Sequence, residues 1–565
     1  MASLGRADGH GPRGGPHPQG LTVFRGTRPA GARRFRPVLA LAVAAVALAA
    51  LAGTAPAPAA RAGEPAPPRD YAVRATFDAL DASWDAGRGN SRRTGGALVW
   101  GGSYFLQSYL LMYEATGDLR YLQTFVAQAD RILANRDSDR GLTDHRGRSL
   151  PAWGVGHPFT VGLAVLPDPA GLPVLEVASA RPGSGNVVAT VAPGTREGTI
   201  TITAAKSFPR GRRRPVPTDV FADLTMDPRS PDYAVARING AFEASKLQVT
   251  ARDLRGPAAA GGVPAPGSVR LRAQRYVFPA HTGQLTFPLA RFVRIVRETP
   301  GLRDDPGYRA TADRFLAACV AAVAVHDEDW RETPAGEGFY VIPKGTPVRF
   351  DGAELPFNQA LSLGRTLVEL AALTGEEGYL RKVQAMARWL KGDLRVSAKG
   401  AYVWSYAWTR GSFHRGWTAE DGVSQYLPSH PGYRVAEDVD HGHIDIAFAV
   451  GAYRVLGPAS GFTEADMQAF AATFVRNFIT TDARGVPTVW DRVDASGAKG
   501  RRPNIPAAWM PLAAWDRAIF DHLYSDFNRR QPAATTPEVV FGTAYLNRFA
   551  RRSRGAGQAG AAARG

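Results

Sequence analysis

The 565-residue chain contains one cysteine, Cys319, set in the apolar helical run from Phe315 to Val323. No intrachain disulfide can form and no multi-cysteine metal site exists, so oxidative stapling and thiolate-held zinc are excluded. Lysine is scarce as well: seven lysines stand beside 61 arginines, a bias that follows from an Ala- and Arg-rich coding composition. The formal charge of +17 resembles that of a nucleic-acid binder until it is divided by position. Residues 1–62 hold eight arginines and one aspartate, and residues 548–565 hold five arginines and no acid, leaving about +5 over everything between. The basicity belongs to the ends, which removes most support for a nucleic-acid partner. Long apolar runs are also missing, with one exception. Val38 to Ala52 is an unbroken stretch of Val, Leu and Ala, preceded by basic residues from Arg33 to Arg36 and followed by Ala60-Arg61-Ala62. At about fifteen residues it is shorter than the roughly twenty that span a bilayer comfortably. It reads as an export signal cleaved near Gly63, or alternatively as an uncleaved signal anchor. Either places the body at the cell surface or outside the cell, with membrane attachment through 38–52 in the second case. It also speaks against ATP- or nicotinamide-dependent chemistry, and no cofactor motif is present.

What the chain does have is helical periodicity. Tyr71 to Asp85, Leu98 to Glu114 and Leu119 to Leu133 carry apolar residues at helical spacing, with the turn Thr116-Gly117-Asp118 between the second and third. The construction returns as Leu367 to Leu373, Thr374-Gly375-Glu376, and Tyr379 to Leu390. Thr116, Gly117, Tyr121 and Leu122 match Thr374, Gly375, Tyr379 and Leu380 at one constant offset, the mark of repeated helical hairpins. Further helices are predicted over Leu285 to Val296, Tyr308 to Val325, Ile444 to Val455 and Glu464 to Phe478. Between the halves, residues 159–277 alternate or run β-branched among Gly and Pro. The expected organisation is a leader in 1–62, helical parts in 63–158 and 278–547, an inserted β-rich module in 159–277, and a flexible basic tail in 548–565.

Within the insert, the segment from Phe221-Ala222-Asp223-Leu224-Thr225 to Arg237-Ile238-Asn239-Gly240 resembles a stretch of phage contractile tail sheath proteins, which implies a packing or adhesion module without catalytic residues. The Tyr113-Glu114-Ala115-Thr116-Gly117-Asp118 turn, the repeated hairpins and the aromatic loops resemble α/α-toroid proteins that act on polysaccharides: glucuronyl epimerases, uronate-chain lyases and unsaturated glucuronyl hydrolases. The resemblance implies a mainly α fold, an α/α toroid of helical hairpins interrupted by the β-rich module, and a polysaccharide or cell-envelope glycan as partner. It is a likeness of fold, so the site candidates come from local chemistry.

The densest polar cluster is Glu437-Asp438-Val439-Asp440-His441-Gly442-His443-Ile444-Asp445, at the start of an apolar helix. Carboxylates beside imidazoles supply proton donors and acceptors, or else caps for the helix. Glu437, Asp438 and His441 are catalytic candidates, and His443 a substrate contact. His281 and Asn358 begin two other helices, and are added because the starts of distant hairpins converge at one mouth in such a fold. Tyr402, Trp404, Tyr406 and Trp408 recur at every second position, which on a strand places four rings on one face, a platform for sugar C–H faces or a packed core. No metal is expected. Asp137 to Asp144 only faintly resembles a calcium loop, with Arg148 where a bidentate Glu is needed. The expected activity is acid/base cleavage or epimerisation of a uronate-containing polysaccharide, as lyase, glycosidase or epimerase; the alternative is a non-catalytic carbohydrate-binding surface protein.

Overall fold

A computed structural model describes residues 68–91, 95–181, 184–207, 216–257 and 260–562, with side chains as far as Arg551. The apolar run of 38–52 and the Arg212-Arg213-Arg214 loop lie outside the described residues. Among the described residues no helix is long and apolar enough to cross a membrane.

The expectation of a mainly α toroid is corrected by the strand content. About 47% of the described residues are helical and 16% are strand, arranged in several antiparallel sheets, so the fold is mixed α/β. Strands are not confined to the insert. The connections between helices contain three two-stranded hairpins, one of which pairs Trp330–Glu332 with Gly338–Tyr340. Each is only two or three residues per strand, too short to leave a periodic signal in sequence.

The first helices are α1 (Arg74–Ala82), α2 (Gly96–Thr116) and α3 (Leu119–Leu133). Next comes a β-rich stretch of eight strands: β1 (Gly162–Pro167), β2 (Pro173–Ser179), β3 (Val187–Pro193), β4 (Ile200–Lys206), β5 (Thr218–Leu224), β6 (Val249–Asp253), β7 (Gly267–Arg270) and β8 (Arg272–Ala273). They form two antiparallel sheets of order β6-β2-β1-β8 and β5-β4-β3-β7. Val177, Ile202, Leu224 and Val249 share a core there with Ile238 of the short helix α4 (Ala234–Gly240). The chain enters and leaves this stretch side by side, because Val155 and Tyr276 exchange both backbone hydrogen bonds, at 2.9 and 3.0 Å.

The longer helices that follow are α5 (Pro279–Glu298), α6 (Pro306–Ala324), α7 (Phe357–Thr374), α8 (Glu377–Lys391), α9 (Val439–Leu456), α10 (Glu464–Thr473), α11 (Ala518–Arg530) and α12 (Pro537–Ala562). The last runs into the residues read as a tail, and Phe549 and Ala550 are buried. Helix α5 packs on α2 and on α7, α7 packs on α9, and α12 returns against α2. The repeated turns are alike in detail. The Thr116 hydroxyl donates to Met112 O (2.7 Å) and accepts from Asp118 N (3.2 Å), and Thr374 does the same with Leu370 O (2.9 Å) and Glu376 N (3.1 Å). Gly117 and Gly375 end α2 and α7 with φ of 75° and 70°, a left-handed conformation that costs glycine nothing.

Candidate functional site

Helix α9 begins at Asp438, whose carboxylate accepts from the backbone N–H groups of Asp440 and His441, both at 2.9 Å. This satisfies two of the donors that a helix start leaves orphaned. The same carboxylate lies 2.9 and 3.0 Å from Nδ1 of the His441 ring. An ionised carboxylate can only accept, so Nδ1 carries the hydrogen and Nε2 is the nitrogen left for chemistry. Burial opposes a charge on His441, but the Asp438 carboxylate overcomes it and holds the imidazole pKa above its ordinary value. Asp438 is correspondingly held low: burial alone would raise it, and His441 and Arg502 outweigh that.

Behind this pair sits a second carboxyl system. Burial, together with the charges of Asp445 and Asp438, raises Glu437 well above the carboxylate range, and burial raises Asp445 too. Two buried carboxyl groups under one another's field do not both ionise, which is why each is held above its ordinary value. Glu437 accepts from Asp438 N at 2.8 Å, and Asp445 accepts from the Trp404 indole at 2.9 Å. Glu437, Asp438 and His441 each offer a donor atom within 4.8 Å of the others, the one such group among the described residues. Backbone N–H groups and the imidazole already engage the Asp438 carboxylate and one oxygen of Glu437.

His441 opens onto a cavity of about 120 Å³ that also reaches His281, Asn358, Gln359, Tyr406 and Arg349, with Trp100, Phe159, Phe278 and Phe350 as walls. Its floor is made by the first turns of α2, α5, α7 and α9, so the partial positive charge of four helix starts converges there. The insert supplies one side, through residues 158–161 and Ala180 at the end of β2. His281 is enclosed by Phe159, Phe278 and Trp100, with ring centroids 5.0, 5.2 and 6.0 Å away, and its Nδ1 is buried with no hydrogen-bond partner. Burial pushes this imidazole down to about 3, so it is neutral across the physiological range. Tyr406 stands edge-on to His441 at 5.4 Å, and its phenol hydrogen-bonds Asn358. Asn358 Nδ2 lies 3.5 Å from the Glu437 carboxyl, too long to be more than a weak contact.

The structure thus brings His441, His281, Asn358 and Tyr406 to one cavity, with Asp438 and Glu437 behind them, and leaves other candidates elsewhere. Trp404 is fully buried on Asp445, and Trp408 packs on Phe339 at 5.1 Å. Tyr402 donates to Asp466 at 2.7 Å. His443 is buried beside Tyr104 at 6.2 Å, with Nε2 unpartnered. The alternation does not make a platform because the strand covers only Tyr402–Val403, and beyond it Trp404 and Trp408 turn into the core while Tyr406 alone reaches the cavity. Asp137, from the loop with a calcium-like look, is committed to Arg275 at 2.6 and 2.8 Å. A second imidazole–carboxylate pair is closed to solvent: Thr282 Oγ lies 2.8 Å from His326, and His326 lies 3.2 Å from Asp329. These three buried groups pin the first turn of α5, which carries His281.

Arg349 was not legible in the sequence. It is 7% exposed, its Nε has no hydrogen-bond partner, and no carboxylate among the described residues pairs with it. Burial, with Arg181 nearby, pushes it down to about 10, so it remains a cation at neutral pH. Its sequence neighbour Asp351 looks like its partner, but that carboxylate is taken by Gly345 N, Gln425 N, Tyr426 N and the Ser424 hydroxyl. Among the described residues no carboxylate lines the cavity. Comparison with protein families finds none that matches the chain, and comparison with curated proteins finds no match.

Proposed function

We propose that the protein is a carbohydrate-active enzyme that binds a uronate residue of a polysaccharide in this cavity and removes the proton beside its carboxylate, leading to chain cleavage by elimination or to epimerisation. The observation that carries the reading is Arg349: a buried guanidinium without an anionic partner, lining the same cavity as an aspartate-supported imidazole. A buried cation without a counter-ion is costly, and a substrate carboxylate supplies the missing charge through paired N–H donors. With that carboxylate neutralised, the adjacent C–H becomes more acidic. The two imidazoles are driven apart by their surroundings, which is how one site comes to hold an acid and a base. His281, kept neutral by its aromatic enclosure, accepts a proton; His441, kept protonated by Asp438, donates one. Asn358 and Tyr406 offer neutral hydrogen bonds to developing charge on the substrate.

Two-carboxylate hydrolysis draws less support, because Glu437 and Asp438 stand behind the wall of the cavity. The test is incubation with a panel of uronate polysaccharides. Ultraviolet absorbance reports unsaturated uronates, and deuterium uptake from heavy water reports epimerisation. Arg349→Gln is expected to raise KM ten- to a hundredfold on uronate chains. Binding without turnover across the panel would replace this reading with that of a carbohydrate-binding surface protein, and reducing ends without unsaturation or deuterium uptake would replace it with hydrolysis.

A further inference from the structure

The cavity of His441 is a pocket and not an open cleft. Among the described residues that line it none is exposed, and the half-buried ones, including Trp100, Phe159, Phe350 and His441, are those that reach toward solvent. Beneath it, α5 and α7 touch backbone to backbone: a Cβ on Gly283 would meet Leu363 N and the Ser362 carbonyl at 2.3 Å. At one side the β-rich stretch is joined to the loop that precedes α7. Thr160 and Val348 form an antiparallel bridge, Val161 N donates to Pro347 O at 2.9 Å, and the Thr160 hydroxyl donates to Gln274 O at 2.6 Å. Behind that seam Val161, Ala180 and Phe242 pack with Ala353, Trp417 and Tyr426. A polymer has no path through either side. Pockets for drug-sized ligands run to about 300–1,000 Å³. At about 120 Å³ this one has room for one sugar ring and not for two.

On the uronate reading, the ring held in the pocket is the ring that reacts. Loss of its C5 proton, beside the carboxylate, expels a group from the next carbon only, so the broken bond is C4–O and the substrate is a 4-linked uronate. That bond must therefore run out of the pocket to the rest of the chain. With space for a single ring, C1 then carries a free hydroxyl. The two imidazoles are placed for this polarity. His281, the acceptor, is 3% exposed under its aromatic walls, whereas the side chain of His441, the donor, is 15% exposed. The base lies at depth, and the acid lies nearer the solvent, where the leaving oxygen departs.

Resting on that reading, we propose that the protein acts on the reducing-terminal residue of 4-linked uronate chains, with the β-rich stretch as the wall that limits the site to one ring. In each turnover His281 takes the C5 proton, the electron pair left on C5 forms the C4=C5 double bond, and the C4–O bond breaks. The leaving oxygen takes a proton from His441 and becomes the anomeric hydroxyl of a chain one residue shorter. Exchange with water then restores both imidazoles. The test is mass analysis of the first products from tetrasaccharides of 4-linked galacturonate, glucuronate and mannuronate, made in heavy and in light water with the full chain. An unsaturated monosaccharide with a saturated trisaccharide is expected from at least one of them. A bulky aryl glycoside at C1 of the reducing residue should slow that reaction about tenfold or more, and a 4-O-methyl cap on the opposite end should leave it unchanged. Two disaccharides, an unsaturated trisaccharide with a saturated monosaccharide, indifference to the aryl group, or deuterium uptake without cleavage would each overturn the proposal while the uronate reading stands. Neither unsaturation nor deuterium uptake from any of the three would overturn both.

Discussion

Asp438 performs two tasks that can be separated by substitution. As the N-cap of α9 it accepts two backbone N–H bonds, and as a charge it holds the His441 imidazolium. Asparagine is as good an N-cap as aspartate but carries no charge. Asp438→Asn is therefore expected to keep the cap while lowering the His441 pKa, because the burial that opposes its charge remains, and to lower the thermal midpoint by what the buried charge contributes through His441 and Arg502. If protonated His441 is the proton donor, activity falls as pH rises through its raised pKa, and in Asp438→Asn that alkaline limb moves toward acid. Asp438→Ala should show the same shift and also lose about 1 kcal/mol of stability. Pre-steady-state or steady-state rates against pH, with melting curves alongside, check both. At this scale the sequence was informative where chemistry is local. The cluster from Glu437 to Asp445 declared itself because its members are adjacent. Arg349 did not, because its isolation depends on Asp351 being claimed by Ser424, Gln425 and Tyr426, some seventy residues away.

Helix starts set a second pattern. His281 in the first turn of α5 and His443 in that of α9 meet burial and the positive end of a helix, both of which disfavour imidazolium. Burial pushes each down to about 3; burial with Arg349 pushes His430, stacked between Phe413 and Trp417, down to about 4. An unfolded histidine takes up its proton near 6.5. From that pH downward, through the depressed folded values, the unfolded state binds protons that the folded state refuses, so stability is lost on acidification. Each such group contributes up to about 1.4 kcal/mol per pH unit. His441 acts in the opposite sense: its raised pKa adds stability below about 6.5 that disappears as pH rises through the folded value. Glu437, Asp445 and Asp81, buried carboxyl groups held above the carboxylate range, act in the same sense as His441. His443→Gln removes one depressed group and should therefore raise the thermal midpoint at pH 4.5 relative to that at pH 6.5, compared with the unsubstituted protein; an unchanged difference between the two pH values would contradict the buried-neutral assignment. The helices themselves were legible, since α3 spans the residues its periodicity marks and the Thr-Gly turns recur with the same hydrogen bonds. The short hairpins in the connections were not, and they are part of why a mainly α expectation gave way to a mixed fold.

For the whole molecule, the β-rich stretch is both separable and engaged. Its ends meet at the Val155–Tyr276 bridge, and its two sheets close over a core of their own. Yet Val161, Ala180 and Phe242 pack with Ala353, Trp417 and Tyr426 of the later loops, and residues 158–161 line the cavity. Joining Val155 to Tyr276 through a short linker should therefore leave the helical circular dichroism largely intact while lowering the thermal midpoint and abolishing substrate binding. Collapse of the helical signal would show that the stretch is required for the rest to fold. The sequence marked the change of texture at 159–277; that this stretch also walls the site follows only from packing between residues far apart in the chain.

The account rests most heavily on His441 as a proton donor in the cavity it shares with Arg349. The direct test is turnover of His441→Ala on a uronate polysaccharide, measured per folded molecule by absorbance of unsaturated product and by deuterium uptake. Turnover reduced about a hundredfold or more with an almost unchanged thermal midpoint is the expected result. Turnover preserved per folded molecule, with the substitution acting only on the melting temperature, would make His441 a helix-end hydrogen bonder and contradict the account.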